Sequence, residues 1–205
     1  MQKALSPTDL PPRTLVLVSA IVGTCSLVLY SSTLATTVGG GDSGEILSVS
    51  CEGGVLRPPG YPLVAMLGRL AFLSSSSKDI AWRVGFIVSS LPAAVACACL
   101  STTLLLLTNN ILVAVLCSML YSSSSLVWAS ATTIDPFSLS ACFLSILYLC
   151  ASAFEASSHR PASTTSRAAF CSSFLAMGLG LCTDRTFLLS ACPALLWLLA
   201  LAVLR

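Results

Sequence analysis

The chain reads as an all-α integral membrane protein, a polytopic helical bundle of about six spans with interfacial helices in its first luminal loop. Three observations predict this class. Hydrophobic residues make up 56% of the 205 positions. Charged residues make up only 9%, against about 25% in a soluble domain that must solvate its surface. Long apolar runs recur along the whole length, and the mean hydropathy is +0.92. Ten Lys or Arg and eight Asp or Glu cannot cover the outside of a soluble fold, which excludes the soluble, disordered and nucleic-acid-binding classes. The net charge of +2 is too small to point to a polyanionic partner.

The first run, Thr14–Ala35, has about 22 residues, enough to cross about 30 Å of hydrocarbon. A cleavable signal core has about 7–15, so this run is read as an uncleaved span despite Lys3 and Arg13 before it. Residues 36–79 form the one long non-spanning region. Within it, Ser43–Cys51 is a candidate short helix. Pro62–Leu73, roughly 18 Å long as a helix, is too short to cross. With Arg69 on it, that segment reads as a helix lying in the membrane interface. Ser74–Ser77 reads as a linker.

The second span is Ile80–Thr108, which Pro92 should kink by removing a backbone donor. Asn109 and Asn110 make the turn into the third, Ile111–Thr132, which contains Ser122–Ser125. Pro136–Phe154 is the fourth, and a polar loop from Glu155 to Arg167 holds His159, Arg160 and Pro161. Ala168–Cys182 and Phe187–Leu204 are the fifth and sixth. The organisation is thus one membrane domain over 1–205: a span at 14–35, a luminal loop at 36–79, and five spans within 80–204.

Positive charge divides five against five between the two sides: Lys3, Arg13, Arg160, Arg167 and Arg205 face Arg57, Arg69, Lys78, Arg83 and Arg185. The positive-inside rule weighs short loops most, which favours a cytosolic Arg160–Arg167 loop and a luminal 36–79 region. Of the ten cysteines only Cys51 lies in a polar stretch, and none has zinc-ligand spacing to a His. No metal site is expected. Trp82 and Trp128 fit an aromatic belt.

Three stretches bring ionisable groups to the luminal side. The first is Gly39-Gly40-Gly41-Asp42-Ser43-Gly44-Glu45. Asp42 is a candidate general base at the membrane surface, and flanking glycines allow close approach of a substrate. The same Asp42 and Glu45, three residues apart, also spell a helix-capping box, and spacing alone favours the cap. The second, Arg57-Pro58-Pro59-Gly60-Tyr61-Pro62, is a stiff turn that suits a preorganised site and equally suits a hinge. The third is the set of charges at span ends: Arg83, Asp135, Asp184 and Arg185. Intramembrane charges are costly and functional by default. Arg83 and Arg185 could clamp a phosphate, or simply snorkel to the interface. The glycine run lacks a following Lys-Ser or Lys-Thr and is not a phosphate-binding loop.

Gly40-Gly41-Asp42-Ser43-Gly44-Glu45 and, further on, Pro58-Pro59-Gly60-Tyr61-Pro62-Leu63 together resemble the signature of the transmembrane protein 260 family of GT-C-fold protein O-mannosyltransferases of the endoplasmic reticulum. Ala81-Trp82-Arg83, Trp128 with Asp135, Phe137-Ser138-Leu139 and Gly178-Leu179-Gly180-Leu181-Cys182 extend the likeness over roughly Gly39–Leu189. The resemblance implies a GT-C-like fold in the endoplasmic reticulum membrane and transfer of a sugar, mannose, from a dolichyl-phosphate donor to Ser or Thr hydroxyls of a luminal acceptor protein. It implies no cofactor beyond that lipid-linked substrate, and membrane lipid as a partner. Asp42 then takes the role of base with Glu45 beside it, while Arg57, Tyr61, Arg83, Asp135, Asp184 and Arg185 are donor- or acceptor-binding. Arg57 stands where the family has His, and Asp135 where it has Glu. Family members continue further, so the chain is read as the N-terminal part of a GT-C module. The alternative is a non-catalytic membrane scaffold or subunit that binds lipid phosphate or a partner.

Overall fold

A computed structural model describes residues 10–58, 61–74, 79–157, 164–184 and 186–203, and among these it is helical with no strand. The elements are α1 (Pro12–Thr33), α2 (Ser43–Glu52), α3 (Pro62–Leu73), α4 (Ile80–Gly85), α5 (Leu91–Thr108), α6 (Ile111–Ser122), α7 (Ser125–Thr132), α8 (Phe137–Ser157), α9 (Thr164–Leu181) and α10 (Phe187–Val203). Both short helices of the loop region thus appear, α3 with the expected bounds and α2 one residue longer.

Among the described residues, three helices are long and apolar enough to cross a membrane: Pro12–Thr33, Ile80–Thr108 and Phe137–Ser157. A fourth span results if α6 and α7, which meet at a 62° bend, are counted together. The protein is therefore a multi-pass membrane protein. The stretches expected as fifth and sixth spans are the shorter apolar helices Arg167–Leu181 and Phe187–Val203, below the roughly 20 residues that cross untilted.

Three apolar clusters hold the helices. On α1 the buried residues are Val18, Val22, Ser26 and Tyr30, a four-residue repeat that makes one stripe against α5 and α6, while Val16, Leu17, Ile21 and Val28 face outward as lipid-facing positions should. Gly23 lets this stripe seat closely, since a Cβ there would stand 3.1 Å from that of Ala98. A second cluster joins Ile46 of α2, Val64 and Ala71 of α3, Val84 of α4 and Leu139 of α8. The third joins Leu147 and Phe154 of α8 to Phe187, Ala191 and Leu198 of α10. Helix α8 therefore ties the loop-side helices to the last pair.

Local irregularities have local causes. Ahead of Pro92 the chain makes a π turn over Phe86–Ser90, closed by the Leu91 N–H donating to the Phe86 carbonyl. This wider turn accommodates the missing proline donor, and the helix continues through Pro92. Ser122–Ser125, expected inside a span, instead breaks it. The Ser122 and Ser123 hydroxyls both donate back to the Met119 carbonyl, at 2.9 and 2.8 Å, which ends α6. The Ser122 carbonyl freed by the break accepts from the buried Tyr30 hydroxyl at 2.9 Å. Asn109 adopts the left-handed conformation (φ 53°), and Asn110 caps α6 by accepting from the Leu112 and Val113 N–H groups, so this turn forms as expected. The expected polar loop from Glu155 to Arg167 is shorter, because α8 runs on through Ser157 and α9 starts at Thr164. His159, Arg160 and Pro161 lie outside the described residues, as do Pro59, Gly60, most of the serine linker and Arg185.

Candidate functional site

The glycine run delivers Asp42 to the start of α2. Gly41 holds φ +66°, which only glycine adopts without strain, and the turn lets Asp42 occupy the N-cap position at φ −79°, ψ −2°. The capping box expected from spacing does not form. Asp42 makes no side-chain capping bond, because its helical dihedrals differ from the extended backbone that a capping side chain needs. Ser43 does the anchoring: its buried hydroxyl lies 3.0 Å from the Ile134 carbonyl and 3.1 Å from that of Gly40. This joins α2 to the segment between α7 and α8.

Glu45, the other half of the expected box, reaches forward in sequence. Its Oε1 accepts from the Arg57 backbone N–H at 2.6 Å and its Oε2 from the Arg57 guanidinium at 2.9 Å. These bonds, the backbone N–H first, hold the Glu45 carboxyl below its ordinary range. A group with a depressed folded pKa contributes stability that is complete above its unfolded value, about 4.3, and lost as the pH falls through the lower folded value. Acidification is therefore expected to release the Arg57 turn. Faster hydrogen exchange at the Arg57 amide below about pH 4 checks this, and Glu45→Ala, which removes the acceptor, should leave that amide exchanging fast at every pH.

Tyr61 enters the same place by a strained route. It sits at φ 37°, ψ 60° immediately before Pro62, a left-handed conformation uncommon for a non-glycine residue and costing about 1–3 kcal/mol. The result is one polar cleft of about 110 Å³ lined by Asp42, Glu45, Ile46, Leu56, Arg57, Pro58 and Tyr61. Four of the eight residues predicted from sequence line it.

Asp135 stands beside this cleft. Burial pushes its carboxyl up from the ordinary range, the Phe137 N–H (2.9 Å to Oδ1) opposes that, and the Asp42 charge adds to the rise. The Asp135 N–H donates to the Ser89 hydroxyl at 3.0 Å, and the Ser90 hydroxyl donates to the Ala131 carbonyl at 2.8 Å. The π turn thus fixes the segment bearing Asp135, an example of such turns beside functional sites.

Two predicted residues are placed elsewhere. Arg83 donates to the Ser74 carbonyl at 3.0 Å, capping the end of α3 opposite Tyr61, roughly 18 Å along that helix. Asp184 is buried and turned to its own chain: Oδ1 accepts from the Thr186 N–H at 3.2 Å and Oδ2 from the Thr186 hydroxyl, so it starts α10. Its loop still braces the site, since the Leu63 N–H donates to the Cys182 carbonyl and the Ser140 and Thr183 hydroxyls pair at 2.8 Å. Arg69, read from sequence as an interfacial charge, donates to the Ser50 and Cys51 carbonyls at the end of α2. Sequence reasoning missed Ser43, Ser50 and Ser89; their signal was a hydroxyl inside or just before an apolar helix. Among the described residues, no three His, Cys, Asp or Glu side chains group to hold a metal ion.

Comparison with known proteins locates this arrangement. The chain is 31% identical over 181 residues to a protein of Dictyostelium discoideum named Protein O-mannosyl-transferase tmem260, covering 84% of the chain and 22% of that relative. It is 31% identical over 171 residues to Protein O-mannosyl-transferase TMEM260 of Mus musculus, covering 83% of the chain and 24% of the relative. The chain thus spans under a quarter of the length of these curated relatives. No solved structure matches it. The domain described as Protein O-mannosyl-transferase TMEM260 N-terminal domain matches residues 42–202, from the cleft aspartate to the last helix, and the chain belongs to that family.

Proposed function

We propose that the chain acts as a membrane-embedded protein O-mannosyltransferase that uses dolichyl-phosphate mannose. One observation carries this reading: Asp42, the first residue of the family match, occupies an N-cap position without capping and lines a polar cleft with the Arg57-bound Glu45 and Tyr61. The names of the two relatives supply the reaction class.

In the proposed step an acceptor Ser or Thr hydroxyl attacks the anomeric carbon of mannose. The new C–O bond forms as the bond from that carbon to the lipid phosphate breaks. Asp42 takes the hydroxyl proton, and the lipid phosphate leaves with the electron pair. Arg57, the described cation on the cleft wall, offsets the phosphate charge, and its bonds to Glu45 hold the guanidinium in place beforehand. Arg185 adds a second cation in this reading, whereas Arg83 serves the α3 end. We place the cleft on the luminal side of the endoplasmic reticulum, within a six-span GT-C-like module that needs no cofactor.

The test is transfer by the purified chain in proteoliposomes. Mannose should pass from polyprenyl phosphate mannose to a Ser/Thr peptide and should not pass from a nucleotide sugar. Transfer from the nucleotide sugar would overturn the reading, and donor binding without transfer would establish the non-catalytic scaffold in its place.

A further inference from the structure

Outside the polar cleft, two adjoining cavities form one furrow, the first between α7 and α8 and the second between α5 and α8. The first has a volume of about 590 Å³ and the second about 380 Å³, and Tyr121 and Ala141 line both. Each is in the range of about 300–1,000 Å³ typical of small-molecule sites. On α5 the lining residues Ala93, Ala96, Leu100 and Leu107 recur every three, four and seven positions, so they form one stripe. On α8 the stripe is Ser138, Ala141, Ser145 and Tyr148, roughly 15 Å long. Small residues on facing stripes leave the volume that larger side chains would fill. Leu126 and Phe137, 80% and 58% exposed, flank the mouth.

The chemistry changes along the furrow. Leu104, Leu107 and Leu144 make the far end aliphatic. The near end holds Asp135 and Ser138. Ser138 is only 2% exposed, and its hydroxyl has no hydrogen-bond partner. Buried hydroxyls are nearly always paired, so an orphan facing a cavity marks the place of a missing partner. The nearby Ser130 and Thr133 hydroxyls are already committed, donating to the Val127 and Ala129 carbonyls at 3.1 and 2.8 Å. Among the described residues no Lys or Arg lines the furrow, so an anionic head would meet the Asp135 carboxylate without a counter-charge there. A hydroxyl head meets both groups well, donating to Asp135 and accepting from Ser138.

We propose that this furrow binds an uncharged long-chain lipid alcohol, its hydroxyl between Asp135 and Ser138 and its chain along α5 and α8 toward Tyr148. Neither Asp42 nor Arg57 lines it, so the furrow lies outside the cleft that holds them.

Photolabelling tests this without any activity readout. The purified chain in detergent is exposed to a diazirine-bearing isoprenoid alcohol, to the same chain bearing a phosphate, and to a sterol probe. The alcohol should crosslink within residues 93–107 and 121–148. Ser138→Ala, which changes little volume, should weaken labelling about five-fold, the loss of one hydrogen bond. Ala141→Leu should abolish it by filling the shared floor, with thermal unfolding confirming that both variants fold. Equal labelling by the phosphorylated probe would overturn the uncharged head, and preferential labelling by the sterol would overturn the linear chain. Labelling that ignores Ser138→Ala, or falls outside these residues, would overturn the site.

Discussion

Asp42→Asn is expected to lower mannosyl transfer about 10²–10⁴-fold, the usual contribution of a positioned general base, with expression and thermal stability unchanged. The second half of that expectation comes from geometry. An aspartate that capped α2 would contribute about 1 kcal/mol, and its replacement would be felt in folding. Asp42 makes no such bond, and Ser43 anchors the helix instead. Even Asp42→Ala should therefore melt within a degree or two of the parent. Transfer that persists in Asp42→Asn would remove Asp42 as the base, and a large drop in melting temperature would return it to the role of a cap.

Gly68→Ala should lower stability and transfer together. A Cβ at Gly68 would fall on the Ser50 hydroxyl, whose position is fixed by its 2.6 Å bond to the Ile46 carbonyl. Either the Ser50 hydroxyl gives up that bond or α2 and α3 move apart, at a cost of about 1–3 kcal/mol for overpacking. Because α2 carries Asp42 and Glu45 and α3 begins at Tyr61, a shift of about 1 Å also spoils the cleft and costs on the order of 10² in transfer. Ser50→Ala is the matched control. It removes the hydroxyl and leaves the new methyl 3.3 Å from the Ser50 Cβ, a contact the packing can absorb. The double variant Gly68→Ala, Ser50→Ala should recover most of the stability and activity, a coupling that a double-mutant cycle reads directly. Additive losses would show that the two helices do not meet as described.

Composition and run length determined the membrane class, the positions of α1, α5 and α8, the two short helices of the loop and the Asn109–Asn110 turn, because those features follow from hydropathy and local backbone preference. The leading motifs, Gly-Asp-Ser-Gly-Glu and Pro-Gly-Tyr-Pro, also brought together the residues that line the cleft: they come from one short stretch of chain that the Glu45–Arg57 pair ties together.

Partnership was decided only by the tertiary structure. Nothing local tells Glu45 to bind Arg57 rather than cap its own helix, or tells Tyr30 to cover a carbonyl that a serine run frees in another helix. Arg83 and Asp184 looked equivalent to Asp135 as charges at span ends. Each is consumed by the nearest backbone end, because in an apolar fold a free carbonyl or N–H has few other partners. Asp135 escapes that fate in part: a π turn and two buried serines hold its segment, leaving its carboxyl between the polar cleft and the apolar furrow. Periodicity marks which residues are apolar and charged, but the placement of those polar contacts depends on which helix ends meet in space.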